Sequence, residues 1–108
     1  MGVIRDGLLA TDIAPVSMVA KAPASVTVTA SSAEGIAANP IRAGLKVINV
    51  TGNTYAIAFG SHAAVLTKGI PITSFGVWNM SAAEFTTEAV NFIGDAEGNC
   101  QVQEWDRA

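Results

Sequence analysis

Charged residues are scarce in this 108-residue sequence. Asp, Glu, Lys and Arg make up 14% of it, whereas hydrophobic residues make up 50% and the mean hydropathy is +0.39. Typical soluble domains carry about 25% charged residues. A chain of this length forms one domain, and a lone copy would expose more apolar surface than usual. Either a permanent interface covers that surplus, or it lies in a core rich in Ala and Val beneath a surface of Ser and Thr.

Clusters of basic residues are absent as well. Residues 1–72 hold five basic and three acidic residues, a net charge of +2, whereas residues 73–108 hold one basic and six acidic residues, a net charge of −5. Nucleic-acid-binding proteins need clustered Lys and Arg. The charge pattern therefore argues against a nucleic-acid partner, and it leaves open a head-to-tail contact between the two parts of neighbouring copies.

The sequence has one cysteine and one histidine. A single cysteine, Cys100, excludes an internal disulfide and a cysteine-based zinc site. Its alternating surroundings indicate a small buried side chain. His62 has no Asp or Glu close in sequence, and a cysteine nucleophile would need it as the base of a Cys100–His62 pair. We expect no catalytic residue, no metal, no cofactor and no enzymatic activity.

Long apolar runs are missing too. No segment approaches the ~20 apolar residues that a membrane-spanning helix needs. Asp6, Asp12 and Pro15 interrupt the apolar N-terminal region, unlike the continuous apolar part of a signal peptide. We therefore expect no membrane partner and a chain that folds where it is made.

Short alternating segments separated by turn residues dominate the rest of the chain. In residues 24–30, for example, Val26 and Val28 alternate with Ser and Thr, as in a half-buried strand. About seven short strands are predicted, at residues 24–30, 41–50, 54–59, 70–72, 76–80, 89–93 and 100–105. This pattern predicts an all-β fold, a small antiparallel β-sandwich.

Two local pairings are predicted from the loops. Leu45–Val50 and Tyr55–Phe59 should form a β-hairpin, because Gly52-Asn53 between them can take the positive φ of a two-residue turn. Residues 89–93 and 100–105 should form a second, closing pair. Ser81-Ala82-Ala83-Glu84 fits a capping box and predicts one helical turn.

The N-terminal residues do not follow the strand pattern. Residues 1–24 are rich in Val, Leu and Ile but keep no sustained period, so we predict an extended arm at 1–24 and a sandwich domain at 25–108. Burying each such side chain is worth roughly 1.5–3 kcal/mol, so the arm should lie along a surface, either its own sandwich or a neighbouring subunit. We favour the neighbour. The candidate contact residues are Ile13, Val16, Met18 and Val19.

Several short motifs bear a resemblance to a known family. They are Asn39-Pro40-x-Arg42-x-Gly44-Leu45, Val47-x-Asn49, Tyr55-x-Ile57-x-Phe59-Gly60, Gly69-Ile70-Pro71-Ile72, Ala89-Val90-Asn91-x-Ile93 and Val102-Gln103-Glu104-Trp105. Their succession over residues 39–106 resembles small virion proteins of tailed bacteriophages. These are β-sandwich proteins found as head decoration (cement) subunits or as related head and tail proteins. The family has no catalytic residues, and the arm lies outside the resemblance.

The resemblance implies a structural role in the virion, after assembly in the host bacterial cytoplasm. The implied function is a capsid decoration protein that binds the phage head and bridges major capsid subunits. Its partner would be the major capsid protein or another virion protein, and a homo-oligomer, in particular a trimer, is expected. The alternative is a tail- or fibre-associated module, structural or carbohydrate-binding. In that case Trp78 or Trp105 would stack on a sugar instead of packing in a core or an interface.

Overall fold

The computed structural model describes residues 17–108, which form two antiparallel β-sheets and no α-helix. The strands are β1 (Met18–Ala20), β2 (Ala24–Val28), β3 (Ala33–Ile36), β4 (Arg42–Asn49), β5 (Tyr55–Phe59), β6 (Ile70–Ile72), β7 (Val77–Asn79), β8 (Val90–Gly94) and β9 (Gly98–Arg107). The predicted helical turn is a 3-10 turn at Ala82–Glu84. The all-β sandwich is confirmed, with nine strands in the described residues because β1 and β3 join those expected. None of the helices in this part of the chain has the length and apolarity to cross a membrane.

Sheet 1 is organised around its longest strand, β9. The strand order is β1-β9-β4-β7, and β2 also pairs with β9. Along one side of β9, β2 pairs with residues 98–102 and β1 with residues 105–107, while β4 occupies the other side. Strands β1, β2 and β4 therefore pair with β9 directly, and β7 is joined to it through β4.

Sheet 2 contains the remaining four strands in the order β3-β8-β5-β6. Its strand β6 lies at an edge, a position that suits Pro71 because proline has no backbone N–H to donate to a further strand. In both sheets, side chains alternate between an inner face towards the other sheet and an outer face.

Both predicted strand pairings are wrong. Strand β4 lies in sheet 1 and β5 in sheet 2, and likewise β8 lies in sheet 2 and β9 in sheet 1. The loops between them cross from one sheet to the other. Neither Gly52 nor Asn53 has positive φ, a conformation that the described residues adopt only at Gly60, Gly69 and Phe75. The two-residue hairpin turn therefore does not form.

Asn49 holds the first of these crossings. Its Nδ2 donates to the backbone carbonyls of Asn53, at 2.6 Å, and of Ile72 and Thr73, at 3.1 and 3.0 Å. Its Oδ1 accepts from the N–H and the hydroxyl of Thr51. The fully buried amide thus ties the end of β4 to the loop that leads to β5 and to the end of β6.

The core lies between the inner faces of the two sheets. Its buried members are Val26, Val28, Ile36, Leu45, Val47, Tyr55, Ile57, Ile72, Val90, Phe92, Cys100 and Val102. Aliphatic β-branched residues dominate this set, and such side chains suit both a pleated strand and a dry interior. Part of the apolar surplus of the sequence therefore lies in the core.

Candidate interaction surface

Strand β1 carries the two candidate contact residues that the structure describes. Met18 is 49% exposed and Val19 55% exposed, at the edge of sheet 1 beside the end of β9. Because neighbouring residues of a strand point to opposite faces, these two side chains emerge on different sides of the edge. Ile13 and Val16 lie outside the described residues, and all four contacts remain predictions.

The backbone around β1 is fixed to its own sheet. The Lys21 N–H donates to the Glu104 carbonyl at 2.9 Å, and Gln103 Nε2 donates to the Lys21 carbonyl at 2.6 Å. At the other end, the Ala108 N–H donates to the Ser17 carbonyl at 3.0 Å. The described part of the predicted arm, residues 17–24, therefore lies along its own sandwich, while Met18 and Val19 keep their side chains open to a partner.

A buried ion pair joins this edge to the rest of sheet 1. The Arg42 side chain is fully buried, and its Nε donates to Glu104 Oε2 at 2.6 Å. Its two Nη atoms donate to the backbone carbonyls of Ala37, Thr86 and Glu88 at 2.8–3.0 Å. One guanidinium thus holds β4, β9 and two loops in place.

Local sequence patterns do not predict this pair. The sequence does contain one signal, the alternation of side chains along β9. Glu104 follows Cys100 and Val102 at steps of two, so it belongs to the inward-facing side of the strand. A charged residue at an inward position needs a partner, because an unpaired buried charge is strongly unfavourable. Nothing in the local sequence identified Arg42, 62 residues earlier, as that partner.

Two further groups share the Glu104 carboxylate. Asn39 Nδ2 donates to Glu104 Oε2 at 3.1 Å, and Lys21 Nζ lies 3.2 Å from Oε1. Burial by itself would raise the pKa of the Glu104 carboxyl, but the hydrogen bonds from Arg42, Asn39 and Lys21 outweigh it and hold the pKa below its usual value. The carboxylate is therefore ionised at neutral pH and fixes both Arg42 and Lys21.

This lowered pKa predicts an acid-dependent loss of stability. A depressed carboxyl pKa contributes stability above the unfolded-state value, about 4.3, and the contribution disappears as the pH falls through the folded-state pKa. We expect the stability difference between the wild type and Glu104→Gln to be largest at neutral pH and to shrink below about pH 4.3. Urea unfolding of both proteins from pH 7 downwards measures it. A difference that does not change with pH would contradict this role of Glu104.

The outer face of sheet 1 mixes apolar with polar side chains, and its described strand residues include no carboxylate. Strand register places three cross-strand rows on it, namely Ala20–Trp105–Gly44, Gln103–Lys46–Asn79 and Gln101–Ile48–Val77. Arg107 and Met18 share this side, whereas the alternation of side chains along β9 places Glu104 and Asp106 on the inner side. Among the described strand residues of this face, the charges are therefore those of Lys46 and Arg107, both positive.

The outer face of sheet 2 is covered in part by the chain itself. Asn91 points away from the core side of β8, and its Nδ2 donates to the carbonyls of Gly60 and His62 at 3.1 and 2.6 Å. The Ala64 N–H donates to Ser32 Oγ at 2.8 Å, and Ala64 is buried. Residues 60–64 therefore fold over sheet 2, which makes sheet 1 the more open of the two outer faces.

Cys100 and His62 do not form a catalytic pair. Cys100 is fully buried on the inner face of sheet 1, and burial raises the pKa of its thiol to about 12. A thiol with this pKa is not a thiolate near neutral pH. His62 is exposed in the segment over the outer face of sheet 2, on the far side of that sheet. Within residues 17–108, no group of three or more His, Cys, Asp or Glu could hold a metal ion.

The two tryptophans lie on opposite faces of sheet 1. Trp78 pairs with Val47 on the inner face, and its ring lies 5.7 Å from that of Phe59. Trp105 lies on the outer face over Gly44, where an added Cβ would be 3.3 Å from Trp105 Cε3. Each half-buried ring packs against its own chain, so the two cannot form one sugar-stacking platform.

A small cavity lies between β2 and β3. Its volume is about 220 Å³, and Val26, Ile36, Lys21 and Glu104 are among its lining residues. The two charged groups are already paired with each other.

No protein-family model, curated protein or solved structure matches this chain. Among the described residues, Met18 and Val19 on β1 are large apolar side chains that stay exposed at a sheet edge.

Proposed function

We propose that this chain is a structural virion protein, a capsid decoration (cement) protein that binds the head of a tailed bacteriophage and bridges major capsid subunits. It acts by binding alone. A protein that binds the assembled shell better than separated subunits stabilises the assembled state by mass action. The resemblance of residues 39–106 to phage virion proteins supports this role and its location in the virion after assembly in the host cytoplasm.

The observation that carries the proposal is the apolar edge at β1. Met18, Ala20 and Trp105 lie side by side on the outer face of sheet 1, and Val19 is exposed on the other side of the same edge. Hydrogen bonds at both ends of β1 hold its backbone in place. Docking therefore requires little ordering of this edge, and less of the binding free energy is lost to entropy.

Charge indicates the kind of partner surface. Lys46 and Arg107 lie on the outer face of sheet 1, and the strand register places no carboxylate there. A partner with apolar groups flanked by acidic ones would be complementary to it. Many identical copies on a shell also convert weak individual contacts into stable attachment. Both features fit a protein that bridges repeated subunits.

Two substitutions at β1 test the proposal. Phage heads assembled without this chain are mixed with the purified full chain, and the bound fraction is measured after sedimentation. Replacing Met18 and Val19 with serine removes two apolar contacts, worth about 3 kcal/mol together, so binding should weaken roughly 100-fold. Deleting residues 1–16 tests Ile13 and Val16 in the same assay.

The matched control is the double replacement of Val65 and Leu66 with serine. These neighbouring residues are 42% and 36% exposed, in the loop between β5 and β6, away from β1. The control variant should bind like the wild type. A wild-type chain that does not sediment with heads would contradict the proposed function. Unchanged binding of the β1 variant would contradict the contact site alone.

A further inference from the structure

Strand β7 forms an edge of sheet 1 with unpaired backbone groups. The Asn49 N–H donates to the Gly76 carbonyl and the Met80 N–H donates to the Leu45 carbonyl, so residues 76, 78 and 80 form the hydrogen-bonded pairs with β4. In an antiparallel ladder, alternate residues face opposite directions. The N–H and C=O groups of Val77 and Asn79 therefore point away from β4, and no other described strand pairs with them.

The other sheet edges carry features that prevent further pairing, and β7 does not. Proline, charged residues and β-bulges are the features that usually prevent another strand from pairing with a sheet edge. Strand β6 contains Pro71, β3 contains Glu34 and a register shift, and the edge formed by β1 and β2 is interrupted by Lys21 and Pro23. Residues 69–83, which include β7, contain no charged residue.

Phe75 stands next to this edge in an unusual conformation. It has φ +57° in the turn closed by the Gly76 N–H and the Thr73 carbonyl, at 2.8 Å. Bulky residues rarely adopt this left-handed conformation, and strained residues of this kind cluster at functional sites. Phe75 is nevertheless 71% exposed, and Val77 beside it is 52% exposed. The strain is not offset by burial of the ring among the described residues.

We propose that β7 is the interface between two copies of this chain, paired antiparallel about a two-fold axis at Trp78. In this register Val77 of each copy faces Asn79 of the other, and all four outward groups of each strand become paired. The result is four hydrogen bonds and one continuous sheet across both copies. A register centred on Val77 or Asn79 would leave some of these groups of β7 without a β7 partner.

Side chains contribute the rest of the interface. The same register places Phe75 of each copy beside residues 81–83 of the other, where Ala82 and Ala83 are exposed. Because residues 69–83 are uncharged, the two edges approach without repulsion between like charges. This two-fold pair differs from the trimer that the resemblance favours, and it does not depend on a role in a virion.

Disulfide crosslinking tests the register directly. In the proposed pair, the Cα atoms of Val77 and Asn79 from different copies lie about 5.5 Å apart, whereas two copies of Val77 lie beyond the ~7 Å limit for a disulfide. Val77→Cys and Asn79→Cys variants are purified separately and oxidised alone or mixed, with the wild type as control for buried Cys100. We expect a covalent dimer only in the mixture.

Sedimentation of the unmodified full chain supplies the second measurement. The wild type should approach twice its 11.1 kDa mass as its concentration rises. Asparagine tolerates positive φ but lacks the ring. The dimer of the Phe75→Asn variant should therefore have a dissociation constant at least ten times that of the wild type, without a lower Tm. Val65→Asn is the matched control and should associate like the wild type. A wild type that stays monomeric, or a crosslink in Val77→Cys alone, would overturn the proposal.

Discussion

Replacing Arg42 with methionine is expected to destabilise the protein by about 3–5 kcal/mol. The substitution leaves the Glu104 carboxylate, whose side chain is only 11% exposed, without the partner that donates to it at 2.6 Å. It also removes the donors to the carbonyls of Ala37, Thr86 and Glu88. A typical domain has only about 5–15 kcal/mol of stability, so the variant should be partly unfolded at moderate urea concentrations. Urea unfolding at neutral pH measures the loss.

Two comparison proteins separate the causes. Lys21→Met removes the other cation at the same carboxylate, but the Lys21 side chain is 47% exposed, so its loss should stay below about 1 kcal/mol. Adding Glu104→Leu to Arg42→Met removes the stranded charge and should recover much of the lost stability. If Arg42→Met were no worse than Lys21→Met, the buried pair would not be a main stabiliser of sheet 1.

Asn49→Asp should cause a comparable loss at neutral pH. The two side chains have the same shape, but a carboxylate would face the carbonyls of Asn53, Ile72 and Thr73 that the amide now serves as a donor. Leaving buried acceptors without a donor and placing a charge beside them should together cost at least about 3 kcal/mol. Thermal or urea unfolding measures the loss against the wild type.

The pH dependence of this variant gives a second criterion. The carbonyls raise the pKa of the introduced carboxyl in the folded state, so the penalty is full above that pKa and narrows as acid protonates the carboxyl and restores one donor. Asn99→Asp, an exposed change on β9, should have little effect at neutral pH. If Asn49→Asp and Asn99→Asp lost the same free energy of unfolding, the loss would not come from the five hydrogen bonds of the Asn49 side chain.

Local patterns in the sequence predicted where strands form better than how they pair. Alternation located β2, β4, β5, β8 and β9, because each presents apolar side chains at steps of two. The segment of β3, Ala33–Ile36, has weak strand propensity and was missed, since its place is decided by pairing with β8. Strand pairing is a long-range property, which the residues of one segment do not encode.

The wrong hairpin illustrates this limit. Gly52-Asn53 is compatible with a tight turn, but it is equally compatible with a loop that crosses between sheets. The outcome depends on Asn49, whose amide reaches carbonyls 23 and 24 residues further along the chain. Composition left open whether the apolar surplus lies at an interface or in the core, and the location of the open edges at β1 and β7 required the order of strands in each sheet.

The position of β9 also governs the order in which the fold can assemble. Every strand of sheet 2 is synthesised before β9, so that sheet has all its members while residues 98–107 are still absent. Strands β1, β2 and β4 can pair with β9 only after it has been made, and the paired residues of β1 and β9 are more than 80 positions apart in the sequence. Such distant contacts form slowly. Sheet 2 can therefore form before sheet 1 closes over it, and its apolar side then stays uncovered during a period in which chaperone binding or premature self-association competes with folding.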